Sequence, residues 1–278
     1  MKENIHYTAL IFDVILSRKF SDRLVLQSYL KTAVEICNTL FKDLLCKPVM
    51  FSAGDEMQGL FYSAQAAHQY FAFFSRLAYP VQFRCGIGVG TLDVFSPTWM
   101  STELDGPAYH CSRAAIARCH EGQEQRVIFN SARDSDRFVN ALLGSSLLLV
   151  QAMKPKTTIL YNYAEFLDSH LVPQWKDLVT YIETIEAHLI EQQLLCKSTI
   201  PSYKPSFTVT LGESCFEEPD SAEEDVLTSQ PWKRGLNGRI AQALGIRRQY
   251  VDAVVRTNNF AQIRNFEALI GEMIQEVQ

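Results

Sequence analysis

The order of apolar and polar positions divides this chain into segments of distinct rhythm. Tyr7 to Leu16 is an apolar run of strand length, broken by Asp13. After Ser17-Arg18-Lys19, either Ser21 or Asp22 is suited to cap a helix. Leu24, Leu26, Leu30, Ala33, Ile36, Cys37, Leu40, Phe41 and Leu44 then recur at helical spacing. Pro48 is expected to end that element. Over residues 49–62, two apolar runs meet at Gly54-Asp55, a β-hairpin pattern. Residues 64–79 carry Ala67, Tyr70, Phe71, Phe74 and Leu77 on one helical face, and Pro80 stops them. Val81 to Gly90 reads as a strand. Asp105-Gly106-Pro107 opens a helix through about residue 119, with proline suited to its first turn. Arg126 to Asn130 is a short strand.

The first 130 residues therefore predict β-α-β-β-α-β, then a loop, a helix and a strand. The expected class is α+β, an antiparallel-rich sheet with helices on one face. Residues 135–196 read as a helical extension, with Leu142 to Val150 strongly apolar and a long helix over 171–195. Residues 197–228 turn rich in Ser, Thr and Pro. They hold the acidic stretches Glu217-Glu218-Pro219-Asp220 and Glu223-Glu224-Asp225, the pattern of a solvated linker. Residues 229–278 fit a helix-turn-helix. Small Ala241 permits close helix contact, Gly245 makes the turn, and Val251 packs the second helix back.

Composition narrows the function classes. The 278 residues carry a net charge of −5 and 47% hydrophobic residues, so the chain as a whole is not a polycation. No stretch of about 18 apolar residues is present, so no membrane span is expected. The N-terminus lacks a secretory signal pattern. Seven scattered cysteines without a Cys-x-x-Cys pair suggest reduced thiols and a cytoplasmic location. Residues 229–278 depart from the overall balance, with seven Lys/Arg against four Asp/Glu. Arg247, Arg248 and Gln249 open the second helix of the helix-turn-helix, where base contacts usually arise, and Arg256 follows on the same helix. This module is expected to bind DNA; the alternative is a protein-contact or dimerisation role.

The chemistry-bearing residues concentrate in the first half. An ionised Asp13 inside an apolar strand is costly unless paired or metal-bound. Asp55, at the hairpin tip beside Gly54, comes within reach of Asp13 if the two strands are neighbours. Two close carboxylates repel unless a cation separates them, and cations so held can clamp phosphate oxygens. The other reading is two separate, partly exposed carboxylates. By strand alternation Glu56 points away from Asp55 and is the less certain partner. Arg113 has the forked geometry suited to phosphate, with Ser17, Arg18 and Arg84 as further candidates; each is otherwise a surface or salt-bridging residue. Gly86-Ile-Gly88-Val-Gly90 lies within a strand, so it marks close backbone approach rather than a dinucleotide loop. His110, Cys111, Cys119 and His120 fit no zinc spacing.

Phe12-Asp13-Val14-Ile15, Ser17-Arg18-Lys19, Gly54-Asp55-Glu56-Met-Gln58, Arg84-x-Gly-Ile-Gly-x-Gly90 and Asp105-Gly-Pro-Ala, followed by Arg113, resemble in order the SatD family. That family's pattern is similar to class III nucleotidyl cyclases and, more distantly, to GGDEF diguanylate cyclases. The resemblance covers nearly the whole chain, since the family also has a C-terminal helix-turn-helix. It implies a ferredoxin-like, palm-type nucleotidyl cyclase domain over 1–134, the helical extension at 135–196, the acidic linker at 197–228 and the helix-turn-helix at 229–278. It also implies Mg²⁺ or Mn²⁺ on Asp13 and Asp55, and an NTP as ligand or substrate. Ser17, Arg18, Gly54 and Arg113 are the residues expected to contact the nucleotide. Arg113 and Asp55 would serve catalysis if turnover occurs, and Arg113 is often supplied by the other protomer of a homodimer. Departures concern cyclisation itself. Tyr109 stands where cyclases have asparagine, and Val49 and Phe51 stand where a purine-selecting lysine is expected. The expectation is a nucleotide-responsive regulator, with an active pyrophosphate-releasing cyclase and an inactive scaffold as alternatives.

Overall fold

The computed structural model describes residues 5–17, 20, 22–122, 125–168, 180–204, 207–211 and 232–277. Its centre is a five-stranded mixed sheet of order β2-β3-β1-β4-β5. The strands are β1 (Tyr7–Val14), β2 (Leu45–Ala53), β3 (Glu56–Phe61), β4 (Phe83–Gly90) and β5 (Val127–Asn130). β1 pairs antiparallel with both β3 and β4, β2 pairs antiparallel with β3, and β5 joins β4 in parallel. Nine α-helices are present among the described residues: α1 (Arg23–Leu40), α2 (Ala64–Leu77), α3 (Pro107–Glu121), α4 (Asp136–Gln151), α5 (Pro155–Leu167), α6 (Ile182–Thr199), α7 (Leu236–Ala243), α8 (Arg248–Thr257) and α9 (Phe260–Val277).

Most elements follow from local chemistry. The Asp22 carboxylate accepts from the Leu24 and Val25 amides, both at 3.0 Å, and so caps α1. In the hairpin, Gly54 has φ +64° while Asp55 does not enter the left-handed region. That is the pattern of a II′ turn, which calls for glycine at its first position. Pro48, expected to end a helix, lies inside β2 instead. β2 is an edge strand, where a missing amide is tolerated.

Helices cover both faces of the sheet, not one as the alternation suggested. Leu10, Phe12 and Val14 of β1 join the core under α1 and α2, while Ala9 and Ile11 pack beneath α3. A strand apolar in both directions is buried on both sides. The glycine stripe of β4 sets the depth at which α3 sits. A Cβ on Gly88 would lie 2.1 Å from the Ser112 amide nitrogen and 2.3 Å from the Ala108 carbonyl oxygen. Only hydrogen fits there.

The C-terminal helices share this core. Ile270 and Ile274 of α9 belong to the same apolar cluster as Phe12 and Phe74. Arg76 of α2 donates to both carboxylate oxygens of Glu267 at 2.6 Å, and Tyr161 of α5 donates to the same group at 3.2 Å. Arg264 of α9 is buried in ion pairs with Glu165 and Asp168 at the end of α5. The start of the expected linker is also packed: Tyr203, Phe207, Val209 and Leu211 are buried. The Thr208 and Thr210 amides donate to the carbonyls of Leu244 and Ala243. The acidic stretch at 217–225 lies outside the described residues, as does the proposed helical segment at 171–179.

Candidate functional site

The candidate chemistry lies where β1 ends. Asp13 is the Cα partner of Glu56 on β3 and of Arg84 on β4, which places all three side chains on the α3 face. Asp13 Oδ1 accepts from Arg84 Nε at 2.9 Å. Asp13 Oδ2 is 2.8 Å from His120 Nε2 on the last turn of α3. His120 Nδ1 lies 2.7 Å from Arg84 Nη1. A guanidinium can only donate, so Nδ1 accepts and the neutral imidazole carries its proton on Nε2, the nitrogen nearest Asp13. The three side chains close a ring of two hydrogen bonds and one ion-pair contact around a largely buried carboxylate.

The hairpin brings the second set of acids to this end. Gly54 and Asp55 make its turn, and the Gly54 carbonyl accepts from Gln27 Nε2 of α1 at 3.2 Å, tying the tip to the first turns of that helix. Glu56, less favoured than Asp55 by the alternation argument, is the acid directly across from Asp13. The Ser52 hydroxyl donates to its carboxylate at 2.6 Å. Ser17 lies in the β1–α1 connection, where its carbonyl accepts from the Phe20 amide at 3.3 Å. Arg18 lies outside the described residues.

Arg113 is not brought to Asp13 within one chain. It is half-exposed on α3 and pairs with Asp105, Nη1 to Oδ1 at 3.6 Å. It precedes His120 by seven residues, about 10 Å along a helix axis. Tyr109 is fully buried, with its hydroxyl 3.0 Å from Ser101 Oγ, and burial raises its pKa to about 12. Gln58 donates to the Ser101 carbonyl at 2.7 Å. Tyr109 thus anchors the 91–106 loop on the sheet. Val49 is core, its backbone held in both directions by Asn38.

Oxygen donors of the kind Mg²⁺ or Mn²⁺ takes are present in Asp13, Asp55 and Glu56. Both Asp13 oxygens are already bonded, however, so a cation there competes with Arg84 and His120. Among the described residues, no group of three or more His, Cys, Asp or Glu side chains is placed to hold a metal ion. His120 is the participant that sequence spacing missed. Along the sequence it suggests only a zinc ligand, and nothing local links it to a residue on β1.

At the C-terminal end, α7 and α8 are joined through Leu244 to Arg247, with Gly245 at φ +59° and Val251 buried. Arg247, Arg248, Gln249 and Arg256 are all exposed, and Arg248 pairs loosely with Asp252 at 3.8 Å. The local excess of positive charge is partly spent internally. Arg239 and Arg264 are buried, and Lys233 lies 3.3 Å from Asp168.

The fold and site define an α+β protein whose mixed sheet ends in a paired carboxylate and an acidic hairpin. The chain matches the SatD family model over residues 7–171 and belongs to the SatD family. The match covers the sheet through α5 and stops short of α6 to α9. No curated protein and no solved structure matches the chain. No helix among the described residues is long and apolar enough to cross a membrane.

Proposed function

We propose that this chain is a nucleotide-responsive regulator, with a divalent cation and an NTP bound at the β1 end of the sheet and DNA bound by α8. One observation carries the reading. Asp13, the acidic hairpin tip and the start of α1 meet at one end of a β2-β3-β1-β4 sheet, with α1 and α2 as the crossovers. Strand order and crossovers support a ferredoxin-like, palm-type domain. In this reading Asp13 and Asp55, with Glu56 beside them, hold Mg²⁺ or Mn²⁺, which neutralises phosphate charge. Ser17, Arg18 and Gly54 border the phosphates. Arg113, remote from Asp13 in its own chain, is delivered by a second copy in a homodimer. The α7–turn–α8 unit acts as a helix-turn-helix, and the shared core with α9 couples it to the sheet.

The test is thermal melting of the full chain with each NTP, with and without Mg²⁺ or Mn²⁺. Metal-dependent stabilisation that is lost in Asp55→Ala supports the reading. Melting indifferent to every nucleotide and metal removes it. Pyrophosphate release that disappears in Asp55→Ala would instead establish a cyclase or nucleotidyl transferase.

A second reading is favoured by the Asp13 ring itself. A carboxylate whose two oxygens are filled by Arg84 and His120 is also what a structural ion pair looks like. In that case the domain is an inactive scaffold, and Asp13→Asn changes stability without altering any nucleotide response.

A further inference from the structure

A cleft of about 630 Å³ lies beyond β5, the edge strand farthest from the hairpin, between α3 and the first turns of α4. Its size is that of a small-molecule site, but its lining is charged. Arg118 of α3, Arg133 of the β5–α4 turn and Arg137 of α4 all line it, and all three are exposed. On a chain of net charge −5, three guanidiniums stand here against two acids, Asp134 and Asp136.

The two acids do not consume the arginines. Asp136 is buried, and its oxygens accept from the Ser131 hydroxyl at 2.5 Å and the Ser131 amide at 2.7 Å. Asp134 stands three positions before Arg137, yet among the described residues neither Arg118 nor Arg137 enters an ion pair. Arg137 lies over the Phe138 ring, 4.7 Å from its centroid. Stacking uses the face of a guanidinium and leaves its edge donors free.

The floor beneath these charges is fixed. Asn140 exchanges two hydrogen bonds with the Phe129 backbone, and Asn130 Nδ2 donates to the Cys111 carbonyl at 3.0 Å. Asn130 Oδ1 accepts from the Ala132 amide at 3.0 Å. Ala132 itself sits at φ +60°, a left-handed conformation that a residue with a Cβ seldom adopts. The turn that carries Arg133 is therefore held in one shape by its neighbours.

A fork of N–H donors matches the oxygens of a phosphate or a carboxylate. A phosphate group brings close to two charges and three acceptor oxygens, where a carboxylate brings one charge and two oxygens. Asp134 and Asp136 repel any anion that enters, so the more concentrated charge is favoured. A single phosphate ion is small for this space, whereas two linked groups can meet arginines from both helices.

We propose that the cleft binds a diphosphate group, free or carried by a small organic molecule, with Arg118, Arg133 and Arg137 donating to its oxygens. The site is separate from the one at Asp13 and needs no metal.

Isothermal titration of the full chain in EDTA tests it, because the nucleotide reading at Asp13 requires a divalent cation. Pyrophosphate is expected to bind, and inorganic phosphate and citrate to bind at least about tenfold more weakly. ADP binding as tightly as pyrophosphate identifies a carried diphosphate, and binding of pyrophosphate alone a free one. Arg118→Gln and Arg137→Gln are each expected to weaken pyrophosphate binding by about tenfold, the increment of one hydrogen bond to a charged group. Both side chains are exposed, so the melting temperature should stay near that of the parent. Asp134→Asn is expected to tighten binding, a gain that damage to the fold cannot produce. Absence of pyrophosphate binding in EDTA overturns the proposal. So does undiminished binding when Arg118→Gln and Arg137→Gln are combined, or binding of phosphate or citrate as tight as that of pyrophosphate.

Discussion

Asp13 Oδ2, near the end of β1, lies 2.8 Å from His120 Nε2, on the last turn of α3, an ion-pair contact. The two residues are far apart in sequence, and the contact exists because the glycines of β4 let α3 lie flat against the sheet. A cation bound at Asp13 would have to displace it.

His120→Ala is expected to tighten Mn²⁺ binding by about tenfold, the worth of one hydrogen bond to a charged group. Asp13→Asn is expected to weaken it to the limit of detection. Isothermal titration of both variants decides the matter. Equal affinity in parent and His120→Ala would place the cation away from Asp13.

Gly88→Ala is expected to cost about 3 kcal/mol, the upper range for overpacking. The new methyl would meet backbone atoms of Ser112 and Ala108 that cannot swing aside. Gly54→Ala meets nothing within 4 Å and carries only the penalty of its φ of +64°, about 1–2 kcal/mol. Urea denaturation should show the larger loss of midpoint for Gly88→Ala. The opposite order would mean that α3 is not seated as described.

His188 predicts acid sensitivity. It stacks on Tyr29 at 4.4 Å, and its Nε2 lies 3.0 Å from the Leu77 carbonyl, so Nε2 carries the donated proton. Burial lowers its pKa from 6.5 to about 4. The unfolded chain therefore takes up a proton at a pH where the fold does not. The fold keeps its full stability from this group above about pH 6.5 and loses it progressively as pH falls towards 4, by up to about 3 kcal/mol. His188→Gln should flatten the melting temperature over that window relative to the parent. Parallel pH profiles for the two proteins would contradict the assignment.

DNA binding by α8 should weaken with salt. If Arg247 and Arg248 each meet a phosphate, Arg247→Ala with Arg248→Ala should make the slope of log affinity against log salt shallower by about two. Fluorescence anisotropy on a mixed-sequence duplex measures it. An unchanged slope would remove α8 from the interface.

Much of the fold was legible locally. The apolar run of β1, the Gly54 turn, the Asp22 cap and the start of α3 at Pro107 are each set by residues within a few positions of one another. Turn chemistry and periodicity act over that range. The β4 glycine stripe was legible too, because glycine repeated within a strand signals a neighbour too close for a side chain. Pro48 reads locally as a helix stop because edge position is a property of the sheet and not of the segment.

The site was legible only as a list of residue types. Asp13 could be seen to need a partner, since a carboxylate in an apolar strand must be compensated. Which partner it has was decided by the antiparallel register with β4, which puts Arg84 opposite it, and by the seating of α3, which delivers His120. Arg76 and Glu267 look like surface charges on two separate helices until α9 folds back onto α2. The sequence by itself determined the elements and the burial of their apolar faces, because those depend on neighbours along the chain. The tertiary structure alone decided which charges meet, because the energy of an ion pair depends on distance in space and on exclusion of water.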